Sequence, residues 1–98
     1  MEILPRSQQL LMPTLKALSR IGNEANIRSL EEAVALDLGL SADLLAVNHS
    51  GKRTEFQYRM AWARTKAKLM GLVESPARQI WRLTEKGTAH LTNQSEFS

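Results

Sequence analysis

Leu11, Leu15, Leu18 and Ile21 recur at intervals of four and three, the spacing that puts side chains on one side of an α-helix. Ser7 is placed to cap this segment, and Gly22-Asn23 to end it. Pro13 lies inside it. Either the helix kinks there, or its regular part starts with Pro13 in the first turn, where a missing N–H costs nothing. A second helical run, NIRSLEEAVALDLG, has Leu30, Val34 and Leu38 on one face, capping-box spacing at Ser29 and Glu32, and Gly39 to close it. Ile27, just before it, is placed to pair as a single-residue strand. Ser41 caps one further turn in LSADLL, ahead of the polar, Gly-containing VNHSGK.

The longest periodic segment runs from about Thr54 to Met70 and stops at Gly71. At about 100° per residue, Phe56, Met60, Ala63, Ala67 and Met70 form one apolar stripe. Tyr58, Trp62, Thr65 and Leu69 form a second, roughly 160° away by the same arithmetic. Between them lies a row of Arg53, Gln57, Ala61, Arg64 and Lys68 that contains no acid. Helices kept soluble by charge usually mix signs, so a one-sign row between two packing faces suggests a surface aimed at an anion.

Beyond Gly71 the period falls to two. LVESPARQIWRLT reads as a hairpin around Ser75-Pro76-Ala77-Arg78, with Pro76 at a turn position, Val73 on the first strand, and Trp81 and Leu83 alternating on the second. Thr84 can cap a short last helix, EKGTAHL, which Gly87 weakens; TNQSEFS reads as a frayed end. We expect a mainly α chain with a small β-hairpin: residues 1–6 an N-terminal extension, 7–91 one folded domain, 92–98 a flexible tail. Helix, helix, long helix and hairpin in that order are the winged helix-turn-helix arrangement, with Arg78 at the wing tip and Arg82 on the outward side of its second strand.

Charge sharpens this picture. Net charge is only +3, yet residues 1–51 carry −2 and residues 52–86 carry +6. Such asymmetry favours a polyanion, most economically nucleic acid. Anionic membrane fits the charge, but binding there asks for a fully exposed apolar helix face, and no apolar run reaches spanning or signal-peptide length. With no cysteine there is neither a disulfide framework nor a thiolate metal site, and we expect an intracellular, cytoplasmic setting. Catalysis has little support. His49 and His90 have no third ligand at metal spacing, and His49-Ser50 adjacency does not set triad geometry. We expect no cofactor, no metal and no catalytic constellation.

SGKRTEFQYRMAWARTKAKLMGLVES followed by RQIWRLTEKG resembles the N-terminal domain of Mrr-type restriction endonucleases. Ser50, Gly51, Phe56, Arg59, Met60, Trp62, Ala63, Lys68, Gly71, Leu72, Arg78, Trp81, Thr84 and Gly87 fall on the family pattern, and MPTLKALS and EEAVALDLGLS look like its first two helices, so the resemblance covers roughly residues 7–91. Gln79 departs from it, standing where the family more often has Gly. The resemblance implies a specificity domain for modified DNA, partnered in its parent protein by a C-terminal nuclease domain whose Asp and Glu-x-Lys motif is not among these residues. It implies a chain that binds DNA and does not cut it.

For the DNA face we select Arg53, Gln57, Arg64 and Lys68 on the side toward the major groove, with Lys68 near the helix end meeting phosphate, Lys52 and Arg78 toward the backbone or minor groove, and Arg82 on the wing. Arg59 borders the core stripe and is suited at least as well to a structural ion pair with an acid such as Glu31 or Glu32 as to a phosphate contact. Trp62 and Trp81 read as core and wing packing, with stacking on a flipped base the sharper alternative. Tyr58, Trp62 and Leu69 are the alternative surface for a homodimer or another protein partner, and a stand-alone transcriptional regulator is a further setting for the same fold.

Overall fold

The computed structural model describes residues 3–96. A 3₁₀ turn, Ser7–Leu10, leads into α1 (Leu11–Arg20), then β1 (Glu24–Asn26), α2 (Ile27–Leu38) and the single turn α3 (Ala42–Leu45). A small arm follows, β2 (Asn48–Ser50) and β3 (Arg53–Thr54), ahead of the long α4 (Glu55–Leu69). The hairpin β4 (Val73–Ala77) and β5 (Ile80–Leu83) and the last helix α5 (Glu85–Glu96) complete the chain.

Local chemistry explains the boundaries, including those that differ from expectation. The 3₁₀ turn removes the conflict at Pro13, because α1 starts at Leu11 and the proline sits in its first turn. Arg6, not Ser7, precedes that turn, with Gln9 Oε1 accepting from its backbone N–H at 2.8 Å. Asn26 rather than Ser29 caps α2, its Oδ1 accepting from the Ser29 N–H at 2.7 Å. Ile27 is consequently the first residue of α2 instead of a strand residue, although its N–H still donates to the Gln79 carbonyl at 3.0 Å. Gly39, at φ +64°, ends α2, and Ser41 caps α3.

β5 is central in an antiparallel sheet of order β1-β5-β4, pairing Ala25 with Trp81 on one side and Val73 with Leu83 on the other. Pro76 is not in the turn. It lies on the edge strand β4, where a missing N–H breaks no ladder, and the register shifts between Glu74 and Ala77. The turn is Arg78-Gln79, with Gln79 at φ +62°, the left-handed conformation that glycine adopts most easily.

The core joins Leu10, Leu15 and Leu18 with Leu30, Val34, Met60 and Leu72. Leu4 belongs to it as well, inside the stretch expected to be an extension. Met1 and Glu2 lie outside the described residues. α5 continues beyond Leu91 to Glu96, farther than the short helix expected; residues 97–98 lie outside the described range.

Thr84 ties three elements together. Its hydroxyl donates to the Gly71 carbonyl at 2.6 Å, its N–H donates to the Leu72 carbonyl, and its Oγ1 accepts from the Gly87 N–H at 3.0 Å. Gly87 is buried because the chain passes so close that a Cβ there would sit 2.1 Å from the Leu72 carbonyl oxygen. Gly87→Ala should therefore destabilise the domain by about 3 kcal/mol, at the upper end of overpacking costs. For a domain of this size that lowers the melting temperature by more than about 10 °C, measurable by thermal circular dichroism.

Candidate nucleic-acid interface

α4 is the element around which any interface must be arranged. Thr54 caps it and Gln57 completes the box: the Gln57 N–H donates to Thr54 Oγ1 at 3.1 Å, and Gln57 Oε1 accepts from the Thr54 N–H at 3.0 Å. Phe56, Met60, Ala63 and Ala67 are buried as the stripe requires. The Thr14 hydroxyl lies 3.7 Å from Met60 Sδ, where α1 crosses α4.

Two of the sequence-based placements on this helix are wrong. Arg64 does not face outward. Only 6% exposed, it reaches Glu31 of α2, Nη1 donating to Oε2 at 3.3 Å, and its guanidinium carbon lies 5.6 Å from the centre of the Trp81 ring. Its position at the edge of the core stripe lets a long side chain turn inward once an acid waits there. Trp62 errs in the opposite sense: 54% exposed, it is a surface residue and not core packing. Trp81 does pack against the core, with its Nε1 buried.

The remaining candidates sort by their partners. Arg82 is on the outer side of β5 as expected, but Glu74 holds it at 2.9 Å and Glu24 at 3.6 Å, so its charge is already compensated. Gln57 is exposed, yet its carbonyl oxygen is committed to the cap, which leaves only its NH₂ free; bidentate pairing with adenine would require breaking the cap. Of the two roles open to Arg59, its contacts are those of the structural one, with partners other than those named. It meets Glu55 at 3.1 Å and donates to the Leu4 and Pro5 carbonyls at 2.8 and 3.1 Å, and not to Glu31 or Glu32. Lys52, Arg53, Lys66, Lys68 and Arg78 are exposed and have no acidic partner among the described residues.

The arm β2–β3 was not foreseen as strands. Its only signal was Ser50-Gly51-Lys52, a turn dipeptide followed by a lysine, and Gly51 indeed takes φ +55°. The arm carries Lys52 and Arg53 at the start of α4 and lays His49 flat on Tyr58, with ring centres 3.8 Å apart and planes 13° from parallel. His49 Nδ1–H donates to Glu55 Oε2 at 2.7 Å. Arg53 sits over the Tyr58 ring at 5.7 Å, and Trp62 meets Tyr58 edge-on at 6.4 Å. On the wing side, Gln79, Ile27, Arg28, Glu31 and Gln57 line an open groove of ≈ 460 Å³, bringing the hairpin tip, the start of α2 and the first turn of α4 together.

The acids respond to these surroundings in opposite ways. Burial pushes the Glu31 carboxyl above the ordinary glutamate range, with Arg64 opposing, and burial likewise pulls the Arg64 guanidinium down. Desolvation thus outweighs attraction for both partners, the situation in which a buried pair costs more than it returns. The hydrogen bond from His49, followed by that from Arg59, holds Glu55 below the ordinary range. A lowered carboxyl favours folding above its unfolded pKa and loses that effect as pH falls through the folded value; a raised one disfavours folding as pH rises through its window.

Among the described residues, no group of three or more His, Cys, Asp or Glu is placed to hold a metal, and no helix is long and apolar enough to cross a membrane. A long helix backed by α1, preceded by α2 and flanked by a β-hairpin with a third strand defines a mainly α, winged helix-turn-helix module. The chain belongs to the Mrr N-terminal domain family, whose model matches residues 8–93. That membership points to a role in a restriction system, and the family is an N-terminal domain of Mrr, not a catalytic one. No curated protein and no solved structure gives a significant match to the chain.

Two experiments check the electrostatics. Glu31→Leu alone should cost about 3 kcal/mol in urea unfolding, because Arg64 is left buried and unpaired, whereas Glu31→Leu with Arg64→Met should lie within about 1 kcal/mol of the parent. In a carboxyl-detected NMR titration Glu55 should titrate below the usual range and Glu31 above it; His49→Ala should move Glu55 up, and Arg64→Met should move Glu31 further up.

Proposed function

We propose that this domain binds double-stranded DNA as the specificity module of a restriction system, with α4 toward the major groove and the hairpin alongside as a wing. The observation that carries this reading is how the acids are distributed. Glu31 is committed to Arg64, Glu55 to His49 and Arg59, and Glu24 and Glu74 to Arg82. The arm, the exposed side of α4 and the wing tip therefore present Lys52, Arg53, Lys66, Lys68 and Arg78 with no ion-pair partner among the described residues. A phosphate backbone supplies what they lack.

This reading differs from the sequence-based one in where the cations sit. They lie at the start of α4, along its solvent side and at the tip of the hairpin: Lys52, Arg53, Lys68 and Arg78 are retained, Arg64 and Arg82 drop out, and Lys66 enters. Modified DNA as the target, a nuclease domain as covalent partner and a cytoplasmic setting accompany the family resemblance and belong to the same proposal. The second reading, a protein-interaction or homodimer face on Tyr58, Trp62 and Leu69, is favoured by one observation, the 54% and 81% exposure of Trp62 and Leu69.

Duplex titrations separate the two. With four or five cations meeting phosphates, the slope of log affinity against log salt should be about −4. Arg53→Glu with Lys68→Glu should weaken binding at least tenfold and flatten the slope by about 2, with an unchanged unfolding curve, while Arg64→Met should leave the slope as it is. Absence of duplex binding at low salt, together with a concentration-dependent dimer in light scattering, would establish the second reading instead.

A further inference from the structure

The arm β2–β3 brings Lys52 and Arg53 to the start of α4, yet burial does not hold it there. Every residue from 48 to 53 is exposed, and the two strands pair only with each other, in a register that shifts between Asn48 and Ser50. A two-stranded ribbon of this kind has little stability of its own. Within this stretch, among the described residues, His49 alone has a side chain hydrogen-bonded to α4: its ring lies flat on Tyr58, 3.8 Å between centres, and Nδ1–H donates to Glu55 Oε2 at 2.7 Å. Glu55 is itself secured from behind. Arg59 Nε donates to its other oxygen at 3.1 Å, and Arg59 Nη1 donates to the Leu4 and Pro5 carbonyls at 2.8 and 3.1 Å, so a line of contacts runs from the N-terminal segment through α4 to the arm.

We propose that His49 is a positioning residue: by tying the arm to Glu55 it sets Lys52 and Arg53 where they meet phosphate, without contacting the duplex itself. The inference rests on the DNA-binding reading above. One nitrogen and one face of the imidazole are already occupied, by Glu55 and Tyr58, which suits a tether better than a phosphate ligand. Arg53 shares the same support, its guanidinium carbon lying 5.7 Å from the centre of the Tyr58 ring. Glu55 is held below the ordinary glutamate range chiefly by the hydrogen bond from His49, and a charged acceptor makes the stronger bond. What the tether supplies is order. Two long cationic side chains on an unanchored arm would be ordered only when the duplex arrives, and that entropy is subtracted from affinity.

The test joins backbone amide NMR relaxation of the free domain to fluorescence anisotropy with a mixed-sequence duplex pool. His49→Ala should lower the heteronuclear NOE of residues 50–53 and weaken duplex binding about five- to tenfold, the cost of ordering two long side chains afresh. His49→Asn, whose amide nitrogen lies as far along the side chain as Nδ1, should keep the NOE and bind within about twofold of the parent. His49→Phe keeps a ring for Tyr58 but has no donor, and should behave like His49→Ala. With Lys52→Ala and Arg53→Ala already in place, His49→Ala should cause no further loss, because it acts only through those two residues. Should His49→Ala fail to fold, the contrast between His49→Asn and His49→Phe decides the matter. A further loss in the doubly substituted background, or binding by His49→Asn as weak as by His49→Phe, makes His49 a direct contact and overturns the inference while DNA binding stands. An arm that keeps its NOE in His49→Phe, with parental affinity, overturns it as well. Absence of duplex binding by the parent at low salt removes the DNA reading and this inference together.

Discussion

The crossing of α1 and α4 is the contact from which the rest of the architecture follows. Phe56, Met60, Ala63 and Ala67 are buried along one side of α4, and Met60 lies beside Thr14 of α1. That packing fixes the rotation of α4 about its axis. Once the rotation is set, Arg64 falls within reach of Glu31 on α2, and Trp62 and Leu69 have no surface of the domain to cover them.

The buried Arg64–Glu31 pair is a consequence of that rotation and contributes little to stability by itself. Both groups are disfavoured by burial, and Arg64 Nε has no hydrogen-bond partner among the described residues. The pair does connect α2 to α4 and sets Arg64 against the ring of Trp81 on β5. A polar link of this kind specifies how elements sit together more than how firmly they hold. Its effect outside is subtractive, since it takes one acid and one base off the surface together and leaves the imbalance of the arm and wing tip uncovered.

The sequence was legible where a signal was local and one-sided. The stripe from Phe56 to Ala67, the start of α4 near Thr54, the Ser41 turn, the stop at Gly71 and the change of period after it all appear in the structure. Element order alone led to the winged arrangement. What could not be read depends on distant partners. Arg64 borders the core stripe and the exposed side alike, and the choice is made by an acid 33 positions earlier. Trp62 was assigned inward on residue type, although apolar residues on both sides of α4 leave the pattern itself undecided. The arm was missed because its pairings join a few polar, exposed residues around Gly51, with no alternation to mark them. Gln79 shows the reverse case: the departure from the usual glycine was visible, and the chain adopts the glycine-like conformation regardless.

The junction at Thr84 has a mechanical meaning. There the end of α4, the return strand of the hairpin and the start of α5 are fastened within a few ångströms, with Gly87 pressed on the Leu72 carbonyl. The hairpin is therefore a lever whose fulcrum is shared with the final helix, and its tilt cannot change unless the axis of α5 swings with it.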